Sequence, residues 1–380
     1  MSLYTKEEER AIRVQRQVDD WTKSGLLQPQ QREQMLPSLK VELRRTNLFL
    51  RITLFVFTFL IVSAISGLAV VFLESVVELR SLRWFALVDA AVCFAAAEML
   101  VKRYRLYHFG IEEAVVVGAA ASFALFMAEF TDSFSTMLGF AGATLGAIAI
   151  FVRFNYAYAA VAATLLAPMV IFDFEQSDTF RRLLAFILLF TVFFVARERR
   201  EDHDPDYPSD IFGLVQAVAW AGMYLVANLR VSPWLSVPDG YDTVYWATYV
   251  VIRVLPFAGL FLAIRDRHRA LLNVNIVLFV LTMLSNKPYL GAESKPWDPI
   301  LFGVMMIAIA IGLRRWLSSG PGGARAGYVA ERILASESDR LALAGNATVF
   351  APGAPPAQAL EAPPTFGGGE SGGGGATGKF

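Results

Sequence analysis

The sequence predicts an all-α, polytopic membrane helix bundle of about ten transmembrane helices, and three observations predict it. Of 380 residues, 55% are hydrophobic and only 18% charged, outside the usual balance of soluble domains, and mean hydropathy is +0.47. Residues 52–73 form a run of 22 without a charge, which at about 1.5 Å per residue crosses a hydrocarbon core about 30 Å thick. Nine further apolar segments follow at comparable spacing. A bilayer core offers backbone groups no partner, so these segments must be helices.

Residues 1–47 are polar and lack the basic start, short apolar core and small-residue cleavage site of a secretory signal, so this segment is expected to stay on the protein. Thr5 and Glu8 have capping-box spacing, and Ala11, Val14, Val18 and Trp21 recur on one helical face. Ser24 and Gly25 end that helix. Gln28 and Pro29 start a second one, which runs through Met35 and Leu36. Residues 1–47 therefore read as a short cytosolic helical hairpin, whose apolar face is available to pack at home or on a protein partner.

The transmembrane domain is assigned to residues 48–316. Its spans are expected at 52–73, 84–101, 112–130, 134–152, 155–172, 180–196, 211–229, 244–264, 270–285 and 299–313, the last two being the shortest. Residues 317–380 change composition abruptly. A Gly-rich linker at 318–326 leads to a short amphipathic helix at 328–343. The Pro/Ala- and Gly-rich remainder buries too little to offset its ordering entropy, and a flexible, disordered tail is expected. Its glycine runs are not a phosphate loop, because no strand precedes them and neither Gly-Lys-Ser/Thr nor a helix follows.

Orientation follows from the basic residues, since positive loops stay cytoplasmic. With the N-terminus inside, the cytoplasmic connections and flanks carry fifteen Lys and Arg, from Arg44 and Arg45 to Arg314 and Arg315; the opposite loops carry seven. Both termini are expected inside.

Several function classes are disfavoured. Cys93 is the one cysteine, and the three histidines, His108, His203 and His268, lie far apart, so neither a disulfide nor a metal site is expected. The 34 basic and 34 acidic residues cancel, so no global field recruits nucleic acid. No Gly-x-Ser-x-Gly, His-Glu-x-x-His or Walker pattern occurs, which weighs against an enzyme, and no cofactor is expected.

Arg253 is the first site candidate, because it stands alone near the middle of the span at 244–264. A guanidinium there costs about 2.5 to 3.5 kcal/mol on insertion scales and needs a partner or a wet cavity. Pro256 frees the carbonyl of Ile252 beside it. The acids considered as partners are Asp89 and Glu98, which point in opposite directions from one helix, and Glu112, Glu113 and Glu129. Glu112 and Glu113 read as helix-N-terminal carboxylates on the first turn of the third span. Asn228, Asn273 and Asn275 read as interhelical glue, and Gly139, Gly142 and Gly146 as a small-residue face that packs the fourth span on the fifth. Arg153 and Asn155 mark the tight turn between those two.

Trp21, Gly25, Leu26, Leu27, Gln28 and Gln31, followed by a basic stretch and then hydrophobic spans, resemble the opening of bacterial predicted membrane proteins grouped as domain of unknown function 2157. The likeness covers the first 75 residues or so. It implies a bacterial inner-membrane location and no established activity. The residues favour a non-catalytic membrane scaffold or sensor whose cytosolic ends hold partners. The alternative is a secondary transporter of a small anionic solute with Arg253 in the pathway. Two inverted five-helix halves would support transport, but Pro168 and Pro256 do not fall at matching places.

Overall fold

The computed structural model describes residues 3–74, 82–130, 134–201, 211–230, 243–290, 295, 297–320, 324–325 and 328–329. The chain begins with α1 (Lys6–Lys23) and α2 (Pro29–Met35), which a 3-10 turn (Leu36–Leu39) closes. The capping box forms as expected, with the Thr5 hydroxyl accepting from the Glu8 amide and Glu8 accepting from the Thr5 amide. Gly25, at φ +74°, reverses the chain. Val18 is wholly buried as expected, and so is Ile12, which lies outside the expected Ala11–Val14–Val18–Trp21 stripe.

Ten apolar helices follow: α3 (Leu48–Glu74), α4 (Leu82–Tyr104), α5 (Ile111–Ala128), α6 (Thr136–Phe154), α7 (Ala157–Phe172), α8 (Asp178–Glu201), α9 (Ile211–Ala227), α10 (Thr243–Arg265), α11 (Arg269–Tyr289) and α12 (Asp298–Ser318). Eight are long and apolar enough to cross a membrane; α7 and α9 are shorter, at 16 and 17 residues. The architecture is that of a membrane-embedded helix bundle. The short spans are therefore the fifth and seventh, not the last two. Both α11 and α12 run 21 residues, and Lys287 of α11 holds Asp298 of α12 at 2.6 Å.

Packing gives the bundle two main cores that share α7, with a small cluster of Ala160, Ala196 and Val215 between α7, α8 and α9. In the first, α3 to α7 stack largely as sequence neighbours. In the second, α9 sits at the centre with α7, α8, α10 and α11 around it. The two halves pair their helices differently. No residue of α12 is buried, and besides the Lys287–Asp298 ion pair it packs on a two-residue antiparallel pair, β1 (Ala324–Arg325) and β2 (Tyr328–Val329). A helix starting at Tyr328 is thereby corrected to a strand, with the Tyr328 hydroxyl donating to the Ala263 carbonyl. The rest of the expected helix and the flexible tail lie outside the described residues.

The glycine stripe works on a different neighbour from the one expected. A Cβ at Gly142 would lie 2.8 Å from Met127 Cβ and 3.1 Å from Ala124 Cα, and one at Gly146 would lie 3.1 Å from Ala120 Cβ. Gly139 faces Ala128. All these partners are on α5, so the stripe packs the fourth span on the third. The α6–α7 hairpin closes through Asn155 in the left-handed conformation, which asparagine tolerates.

Candidate functional site

The three residues singled out in the sequence do not meet. Asp89 of α4 accepts from the hydroxyls of Ser66 on α3, at 3.1 Å, and Ser122 on α5, at 2.6 Å. Glu98 binds Arg153 Nε of α6 at 2.5 Å and Lys102 Nζ at 2.7 Å. Arg253 pairs with neither acid, nor with Glu112, Glu113 or Glu129. It donates instead to Asn286 Oδ1 of α11 and lies 4.5 Å from the centre of the Tyr249 ring. The reason is architectural: α10 packs on α11 and α9, while Asp89 and Glu98 stand on α4, Glu112 and Glu113 on α5, and Glu129 at the C-cap of α5.

Two buried polar centres emerge instead. The first lies where the N-terminal segment meets the adjacent ends of α3 to α7. Gly110, at φ +105°, caps α5 and lets the backbone of α3 come close. That approach sets Arg51 against Glu113, with Nε 2.7 Å from Oε2 and Nη2 donating to Oε1. His108 Nδ1 is also 2.7 Å from Oε1. Glu112, wholly buried, accepts the Phe109 amide at 2.7 Å through Oε1, while its Oε2 is buried with no partner among the described residues. The Tyr158 hydroxyl is likewise buried without one. Glu112 and Glu113 thus stand on the first turn of α5, as their place in the sequence predicted, but they are buried there.

The N-terminal segment closes over this centre. The Tyr4 hydroxyl donates to the Leu106 carbonyl at 2.9 Å and lies 3.3 Å from the Tyr156 hydroxyl. The Leu3 amide donates to the Arg153 carbonyl at 3.0 Å, Asn155 Nδ2 to both Glu9 oxygens at 3.0 Å, and Arg105 to Glu8 at 2.6 Å. Burial pushes the Tyr4, Tyr107 and Tyr156 phenols above their ordinary pKa, so they stand as neutral hydrogen-bonding groups. The signal in the sequence was Arg51, His108 and Gly110 flanking the acids, but nothing local joins Arg51 to a residue 62 positions on.

The second centre runs through the middle of the other core. Gln216, Trp220 and Tyr224 of α9 and Asn228 just beyond its end recur at four-residue steps, a stripe about 18 Å long. Trp220 Nε1 donates to Asn275 Oδ1 at 2.8 Å, and Asn275 Nδ2 to the Leu271 carbonyl at 2.8 Å. Asn228 Nδ2 donates to the Tyr224 and Ser285 hydroxyls. Tyr224 lies 2.9 Å from the Thr282 hydroxyl, which in turn reaches the Ile252 carbonyl at 3.1 Å. That carbonyl is the one Pro256 frees, so α11 caps the proline gap in α10. Asn228 and Asn275 are interhelical glue as expected, whereas Asn273 is exposed. Gln216 is almost fully buried, with neither amide atom partnered among the described residues.

The spine depends on one glycine. A Cβ at Gly259 of α10 would sit 2.1 Å from Asn275 Oδ1, and Asn275 is pinned by Trp220 and Leu271. Gly259→Ala is expected to lower folding stability by about 2–4 kcal/mol, from overpacking and a lost buried hydrogen bond. Thermal unfolding in detergent reads it, and adding Asn275→Ala should return part of the loss. An unchanged midpoint would mean that α10 does not press on Asn275.

Among the described residues, no group of three or more His, Cys, Asp or Glu is placed to hold a metal ion. A shallow groove at the far ends of α6 and α7 is lined by Thr136, Asp173 and Glu175, but Thr136 already donates to Asp173. No family model, curated protein or solved structure matches the chain.

Proposed function

We propose that this chain is a multi-pass bacterial inner-membrane protein, with both termini inside, that acts as a non-catalytic sensor or scaffold through its N-terminal hairpin. The observation that carries the reading is the docking of the N-terminal segment, through Tyr4, Glu8 and Glu9, on Leu106, Arg105 and the Arg153–Asn155–Tyr156 turn. A tether used only to enter the membrane would need no such clamp. This clamp closes over a buried carboxylate, Glu112, whose second oxygen has no described partner, so the cap and the charge beneath it are built to respond together. The bias of Lys and Arg and the resemblance of residues 21–31 support the location and orientation. Transport through Arg253 is the alternative, and the exposure of that side chain on the outside of α10 counts against it.

The test is the distance between spin labels at Lys23 and Arg103, both exposed, in vesicles over a range of pH and salt, with Cys93 replaced by alanine. A sensor should show docked and undocked populations whose ratio moves with conditions. One unchanging distance under every condition would defeat the sensor reading and leave the hairpin as a fixed platform.

A further inference from the structure

From the surroundings of Arg253 we infer a phospholipid-headgroup site on the outer surface of the bundle, in which the guanidinium binds the lipid phosphate. Arg253 stands on the outward stripe of α10, between Val250 and Val254, each 57% exposed, with Phe257 at 58% below them. These neighbours are apolar, so this is the face that meets acyl chains. Its Cα lies ten residues into α10, about 15 Å from the Thr243 end at 1.5 Å per residue.

The side chain does not stay at that depth. It is drawn toward Asn286, three residues from the end of α11, and over Tyr249, one turn nearer the Thr243 end of α10. The guanidinium therefore snorkels to the level where hydrocarbon gives way to headgroups. Trp246, whose ring meets Tyr249 at 5.7 Å and which is itself exposed, completes an interfacial aromatic frame there.

The chemistry of the ligand follows from the donors left over. A guanidinium has five N–H groups in a planar fork, and the described protein supplies one acceptor, the neutral Asn286 amide oxygen. No described carboxylate pairs with it. The remaining donors face lipid, where an unmet N–H is costly. The acceptors a bilayer supplies at this level are phosphate and ester oxygens, and a phosphate suits the fork with two parallel, charge-assisted bonds. The occupant is thus a phospholipid from the leaflet at the Thr243 end of α10, held by its phosphate, with its acyl chains along Val250, Val254 and Phe257.

The test measures thermal unfolding in neutral detergent with added phosphatidylglycerol, diacylglycerol of the same chains, or inorganic phosphate, and counts bound lipid by native mass spectrometry. The proteins are wild type, Arg253→Gln and Asn286→Asp. The last places a carboxylate on the guanidinium, so it satisfies the donors internally and keeps the helix pair together. Phosphatidylglycerol should raise the wild-type midpoint and leave a bound lipid, and half-saturation should be weaker by about tenfold or more in both variants. Diacylglycerol and phosphate should give no shift. Equal binding of phosphatidylglycerol by wild type and Arg253→Gln overturns the site. Should that variant not fold, undiminished binding by Asn286→Asp overturns it equally. A shift with inorganic phosphate alone overturns the lipid source, and one with diacylglycerol alone overturns the phosphate.

Discussion

Replacing Arg51 with leucine is expected to cost about 3–5 kcal/mol of folding stability, the usual result of removing one partner from a buried ion pair. Glu113 is nearly fully buried, with a side chain only 4% exposed, and two of its three side-chain donors come from this guanidinium. His108 alone would remain, beside Glu112, whose second oxygen already lacks a described partner. Both carboxylates would then have to be neutralised or hydrated at the junction of α3, α4 and α5. Adding Glu113→Gln to the leucine variant removes the stranded charge, so the double variant should be markedly more stable than Arg51→Leu alone. Chemical unfolding of the four proteins in one detergent gives the coupling directly. A leucine variant within about 1 kcal/mol of wild type would place the pair in water, as exposed pairs contribute no more than that.

The same pair marks where the sequence stopped being legible. Features written within one turn of helix were readable: the Thr5–Glu8 box, the stop at Gly25, Pro29 in a first turn, and the freed carbonyl before Pro256. The spans were readable because hydropathy sums over twenty residues. Partners across helices were not. Thr282, which caps the carbonyl freed by Pro256, lies 30 residues beyond Ile252, and the glycines of α6 could have faced either neighbouring helix. Arg253 shows the limit most clearly. Depth along α10 could be counted from residue numbers, but α10 is apolar nearly all the way round, so no periodicity told the inward face from the outward one. Depth alone points to the acids of α4 and α5 as partners, and the packing of α10 on α11 and α9 excludes them. The opposite case is α9, where Gln216, Trp220 and Tyr224, with Asn228 just past the helix end, mark a polar face at four-residue spacing.

Gly110→Ala is expected to cost more than about 3 kcal/mol, because two penalties that usually occur separately fall on one atom. The backbone at φ +105° is a conformation that an L side chain rarely adopts. The new Cβ would also lie 2.3 Å from the Arg51 carbonyl oxygen and 3.1 Å from the Phe55 nitrogen. Both are backbone atoms, so no rotamer change relieves the clash and α3 as a whole must withdraw from α5. That withdrawal pulls Arg51 from Glu113, so the steric fault becomes an electrostatic one, and the two losses should not add independently to those of Arg51→Leu. Gly25 separates the effects: it too has positive φ, +74°, but nothing lies within 4 Å of its added Cβ. Gly25→Ala should cost about 1–2 kcal/mol, the conformational penalty alone. Unfolding both variants beside wild type tests the account, and equal losses would mean that backbone conformation, not the approach of α3, is what Gly110 provides.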